Sequence, residues 1–200
     1  MKIIIAEDQG MLRGAISRLL ALESDIEIVG EAGNGEQALE LIRKQEADIV
    51  ILDIEMPILS GLEVAEKMKD DGIECRVVIV TTFARAGYYQ RAVRAGVRGY
   101  LLKDAPVADL AEALRRIYAG GRAFSPHLTF SMLGEINPLT ERESEVLTHL
   151  KQGYSVAEIS KLLFLSPATI RNYISEILQK LEARNRIDAV AIAESKGWLI

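Results

Sequence analysis

Five side chains of this 200-residue sequence have the types that phosphoryl transfer uses. Two carboxylates stand together as Glu7-Asp8, a third is Asp53, a hydroxyl is Thr81 and an ammonium is Lys103. Carboxylates crowded into one place repel, which raises their pKa values unless a cation offsets the charge. Hard oxygen ligands with open positions suit Mg²⁺, which takes carboxylates, waters and phosphate oxygen together. An aspartate facing such a metal can attack a phosphoryl group, because the metal and a lysine neutralise the equatorial oxygens. Taken one at a time, these residues read more readily as helix caps or surface charges than as a site. Everything depends on whether the fold collects them.

The flanking pattern says that it does. Short apolar runs at 2–6, 26–30, 48–53, 76–81 and 99–102 read as strands, three of them almost continuously apolar, as strands covered on both faces are. Stretches 11–22, 35–44, 61–70, 88–95 and 106–118 carry apolar positions at helical spacing. Five βα units predict a doubly wound parallel sheet. In such a sheet the loops at the carboxyl ends of the strands converge near the switch in strand order. Glu7 and Asp8 end the first strand, Asp53 the third and Thr81 the fourth, and Lys103 follows the fifth.

Periodicity changes after Gly120-Gly121. Residues 119–137 are rich in Gly, Pro and Ser and read as a linker with at most a short helix. From Leu139 onward four helices fit, near 141–151, 155–163, 167–182 and 185–196. Thr140 and Glu143 have the spacing of a capping box, and Ser166-Pro167 the chemistry of a helix start. On the helix that follows, Ile170, Ile174, Ile177, Leu178 and Leu181 share one face. Thr169, Arg171, Asn172, Ser175 and Lys180 are the candidates for contact with DNA, with Arg171, Asn172 and Ser175 placed to reach base edges. A plain bundle with a solvated polar face has the same periodicity. Residues 166–184 carry only one net positive charge, thin for binding phosphates. In the last helix Ile187, Val190, Ala191 and Glu194 form a stripe suited to a dimer contact or to packing within its own domain.

Asp53-Ile54-Glu55-Met56-Pro57 with Gly61, preceded by Glu7-Asp8 and followed by Lys103, resembles the receiver domain of bacterial two-component response regulators. Residues 138–197 resemble the LuxR-type helix-turn-helix, and the whole chain is similar to regulators of the NarL/FixJ type. The resemblance implies a flavodoxin-like α/β receiver with a five-stranded parallel sheet in the order 2-1-3-4-5, followed by a small all-α helix-turn-helix domain. It implies a receiver over 1–118, a linker over 119–137 and a DNA-binding domain over 138–200. Asp53 would be the phosphoacceptor, with Glu7, Asp8 and the Glu55 carbonyl joining it around Mg²⁺. Thr81 and Lys103 would contact the phosphoryl group, and Tyr100 would be the switch aromatic that turns inward. Read without the family, Tyr100 is equally a half-buried strand tyrosine. Gln9 stands where many related receivers carry His. The implied partners are a sensor histidine kinase, double-stranded DNA and, on phosphorylation, a second copy of the chain.

Composition narrows the alternatives. The longest apolar run, Ala189 to Ala193, is far too short to span a membrane, and no signal peptide opens the chain, so a cytoplasmic protein without membrane insertion is expected. Cys75 is the single cysteine, and His127 and His149 have no partner at metal-ligand spacing; all three read as structural. Net charge is −5, all of it in residues 1–118, while 119–200 balances nine Lys/Arg against nine Asp/Glu. Two rivals remain. A Mg²⁺-dependent phosphohydrolase would use Glu55 as general acid/base beside Asp53, and a constitutive DNA-binding dimer would need no phosphorylation.

Overall fold

The computed structural model describes residues 1–82, 85–125 and 137–199. They form two compact units, one built on a sheet and one of helices. Up to Phe124 the chain runs through β1 (Lys2–Ala6), α1 (Gly10–Leu20), β2 (Glu27–Ala32), α2 (Gly35–Lys44), β3 (Ile49–Leu52), α3 (Gly61–Asp70), β4 (Arg76–Thr81), α4 (Ala86–Arg94), β5 (Gly99–Leu102), α5 (Val107–Tyr118) and β6 (Ala123–Phe124).

All strands pair in parallel, in the order β2-β1-β3-β4-β5-β6. The five expected strands and their order are present, with a sixth beyond them. Residues 123–124 were expected in a linker, yet Gly99 pairs with Ala123 and Tyr100 with Phe124. The cause is the outer edge of β5, whose unpaired N–H and C=O groups take the returning chain. The rest of the expected linker, 126–136 with His127, lies outside the described residues. β2 also runs two residues past its expected end at Gly30. Leu41 and Ile4 close over that glycine, so the strand passes through it and pairs Ala32 with Ala6.

The central strands explain the placement of the polar ends. Ile3, Ile4, Ile5 and Ala6 of β1 and all of β3 are buried, as covering helices on both faces require. One face packs Ile3, Ile5, Ile49, Ile51, Val78 and Val80 against α1 and α5 through Ile16, Leu20, Leu110, Leu114 and Ile117. Strand register then sets Ala6 beside Leu52, Leu52 beside Ile79 and Thr81 beside Leu102, so the strands end nearly level.

The second unit holds α6 (Glu141–Lys151), α7 (Val156–Leu162), α8 (Pro167–Lys180) and α9 (Arg186–Ser195). Its core joins Val146, Leu147, Ile159, Ile170, Ile177, Leu181, Ala189 and Ala193, with Trp198 packed against it. Every helix start is capped by a side chain: Thr140 with Glu143, Ser155 with Glu158, Ser166 onto the Thr169 N–H, and Asn185 onto those of Ile187 and Asp188.

Candidate phosphoacceptor site and helix-turn-helix

Backbone hydrogen bonds hold the strand ends together before any side chain acts. The Asp53 N–H donates to the Ala6 carbonyl at 3.0 Å, and the Lys103 N–H to the Thr81 carbonyl at 2.9 Å. Glu7, Asp53 and Thr81 are buried and Asp8 is exposed. Carboxylate oxygens of Glu7, Asp8 and Asp53 lie within 4.8 Å of one another. The Lys103 ammonium sits 2.7 Å from Glu7 Oε2 and 3.0 Å from Asp53 Oδ2. The other Asp53 oxygen, Oδ1, accepts from the Ile54 N–H at 2.7 Å.

The electrostatics follow from this crowding. Burial raises the Glu7 pKa and the Asp53 charge adds to it, against the pull of Lys103. For Lys103 burial acts to lower the pKa, but hydrogen bonds to Glu7 and Asp53 outweigh it and leave the ammonium favoured. The fold thus holds more negative than positive charge out of water, a site suited to a hard cation and to a phosphoryl group.

The loop after Asp53 is fixed by its glycine and its cap. A Cβ on Gly61 would lie 2.0 Å from the Asp53 carbonyl oxygen, so only glycine lets α3 start against Asp53. Ser60 and Glu63 close a capping box there. Ile58 in the same loop has φ 72°, a left-handed conformation costing an L-residue about 1–2 kcal/mol. Glu55 is exposed beside this loop.

Tyr100 is fully buried rather than half-buried. Its ring meets Tyr89 edge-on at 5.8 Å, and Tyr89 meets Phe124 at 5.7 Å. Sequence reasoning missed both partners, since Phe124 fell in the expected linker. It also missed Arg13 of α1, whose guanidinium donates to the Glu7 carbonyl and sits 3.5 Å from Glu31.

In the helical unit α7, a tight turn and α8 form a helix-turn-helix. Ser160 Oγ donates to the Leu165 carbonyl at 2.6 Å and Ser166 opens α8. Arg171, Asn172 and Ser175 lie exposed on α8, opposite buried Ile170 and Ile177, and Thr169 is half-buried beside the Ser166 hydroxyl. Ser175 Oγ donates back to the Arg171 carbonyl. Lys180 departs from expectation: its ammonium lies 2.7 Å from both oxygens of Glu143, which is 1% exposed. The carboxylate that caps α6 also takes the last turn of α8, so Lys180 is ion-paired within the domain.

That pairing carries a pH dependence. Burial acts to raise the Glu143 pKa, but Lys180 and the N–H and hydroxyl of Thr140 outweigh it and leave it lowered. A lowered carboxyl pKa gives stability that is fully present above the unfolded value of about 4.3 and is lost as pH falls through the folded value. Glu143→Gln removes this dependence and costs about 1–3 kcal/mol near neutral pH. An acid titration of the full chain, followed by amide NMR signals of 141–199, checks both; an unchanged acid midpoint refutes the assignment.

Among the minor expectations, Cys75 is half-buried rather than part of the core, and burial together with the Asp48 charge pushes its thiol up to about 12. His149 packs edge-on against Tyr154 at 5.7 Å. The stripe on α9 divides: Ile187 is 76% exposed and Ala191 is exposed, while Val190 packs against the unit's own core. Among the described residues no helix is long and apolar enough to cross a membrane.

Comparison with known proteins agrees with this fold. Residues 3–115 match the response regulator receiver domain and residues 137–193 the luxR family of bacterial regulatory proteins. The chain is 53% identical over 199 residues to the transcriptional regulatory protein YvfU of Bacillus subtilis, covering all of both chains. It is 50% identical over 198 residues to the transcriptional regulatory protein DesR of the same organism, covering 99% of this chain and 98% of that one. A solved complex of the two-component response regulator RcsB with DNA superposes with a TM-score of 0.66 at 26% identity, covering 98% of each chain. These matches are to transcription regulators, not phosphohydrolases.

Proposed function

The chain belongs to the LuxR-type DNA-binding response regulators, and from that premise we propose that Asp53 accepts a phosphoryl group from a sensor histidine kinase. The observation that carries this reading is the buried ammonium of Lys103, 2.7 Å from Glu7 and 3.0 Å from Asp53 among three converging carboxylates. An Asp53 carboxylate oxygen forms the new P–O bond as the N–P bond of a phosphohistidine breaks, and the departing imidazole keeps the electron pair and takes a proton. Lys103 then faces the phosphoryl oxygens, and the Thr81 hydroxyl donates to one of them.

The acids present fit Mg²⁺: Glu7, Asp8 and Asp53 are hard donors close enough to share one ion, and the Glu55 carbonyl would join them as the family resemblance implies. When bound, the ion supplies neutralisation of charge on the phosphoryl oxygens. Asp53 is oriented by its Ile54 hydrogen bond, and Lys103 pairs with its other oxygen.

Phosphorylation biases a two-state receiver through Thr81 and Tyr100, and the favoured state pairs with a second copy. Paired helical units then set Thr169, Arg171, Asn172 and Ser175 of two α8 helices against adjacent half-sites of double-stranded DNA in the cytoplasm. Sedimentation of the full chain with acetyl phosphate and Mg²⁺ tests this, with a footprint on duplexes selected from random sequence. The expected result is a doubling of mass and a longer footprint on phosphorylation. A labelled chain that stays monomeric and footprints as before refutes the switch.

A further inference from the structure

We propose that Phe164, in the turn between α7 and α8, is a DNA-contacting residue whose ring packs against the deoxyribose and thymine-methyl surface beside the start of α8. The inference rests on the reading that α8 enters the major groove. Phe164 is 95% exposed, although its neighbours Leu163 and Leu165 pack into the core of the unit. Its φ of 55° is left-handed, a conformation that five glycines among the described residues adopt without penalty. The fold therefore gains nothing from an aromatic side chain at this position, and glycine would suit the backbone better. An outlier that the fold does not explain points to function.

Its location names the partner. Phe164 lies two residues before Ser166, the N-cap of α8, and the N-terminal residues of a recognition helix are those that approach the bases. Charge on this surface is scarce. Among the described residues of α7 and α8, Lys180 is held by Glu143, leaving Lys161 and Arg171 as the cations outside an ion pair. Counterion release from so few phosphate contacts is small, so affinity has to come from another source. A phenylalanine ring offers roughly 150–250 Å² of apolar area, and thymine methyls and sugar faces are the apolar surface a duplex presents.

Three full-length variants, Phe164→Gly, Phe164→Tyr and Arg171→Ala, titrated into a duplex selected by the wild-type chain, test the proposal. Phe164→Gly is expected to bind about tenfold more weakly, equivalent to about 1.4 kcal/mol. Its Tm should be unchanged or higher, because glycine relaxes the left-handed turn. Its dependence on salt should match the wild type, since no phosphate contact is lost, whereas Arg171→Ala flattens that slope by about one unit. Phe164→Tyr keeps wild-type affinity. A Phe164→Gly chain that binds as tightly as wild type overturns the proposal, and so does weaker binding that appears only with a lowered Tm. If Arg171→Ala leaves affinity and salt slope untouched, the placement of α8 in the groove fails, and the proposal falls with it.

Discussion

Asp53→Asn is expected to take up no phosphoryl group from acetyl phosphate and Mg²⁺, and the wild-type chain to take up one, as read by intact mass. The substitution preserves shape, and an amide oxygen can still accept from the Ile54 N–H. It removes the nucleophile and turns the group facing Lys103 from an acceptor into an N–H donor, or else costs the Ile54 bond. Divalent-metal affinity also falls, because one of three converging carboxylates is gone. Equal labelling of the variant would place the acceptor elsewhere. Global stability should change little, since lost repulsion against Glu7 offsets the lost Lys103 contact.

Lys103→Met has the larger effect on folding. It strands Glu7 and Asp53 in a buried site without a cation, and removing one partner of a buried ion cluster costs about 3–5 kcal/mol. Two conditions should restore stability. Millimolar Mg²⁺ stabilises the variant more than the wild type, because binding to the folded state adds stability by mass action. Acidification also helps: the Glu7 carboxyl has a folded pKa above its unfolded value, so its ionised form opposes folding, and that penalty disappears as pH falls through the raised value. Denaturant unfolding with and without Mg²⁺ at two pH values reads all three effects. A variant as stable as wild type without metal would show that the acids are already neutralised by another route.

The convergence of the acids with Thr81 and Lys103 was legible because the strand sequence IIIA runs into Glu7, IVIL into Asp53 and RVVIVT ends on Thr81. The helix starts at Thr140 and Ser166 were equally open, and the structure adds caps of the same kind at Ser60 and Ser155. The misses share a different cause. β6 has two residues, below the length at which alternation exists, and it forms only because β5 offers an edge. Lys180 looked like a phosphate ligand because its partner is 37 residues away and already accounted for as a cap. The rings of Tyr89, Tyr100 and Phe124 come from three elements, and no local pattern joins them.

The Glu143–Lys180 clasp has a consequence for how the helical domain would meet DNA. α8 is pinned at one end by Ser166 and Pro167 and at the other by a carboxylate shut away from water. Such a rod surrenders little conformational entropy when it docks, so the cost of mutual adjustment shifts to the nucleic acid. Operators would accordingly be ranked by how readily their base steps bend to a rigid reader, including steps that no side chain touches.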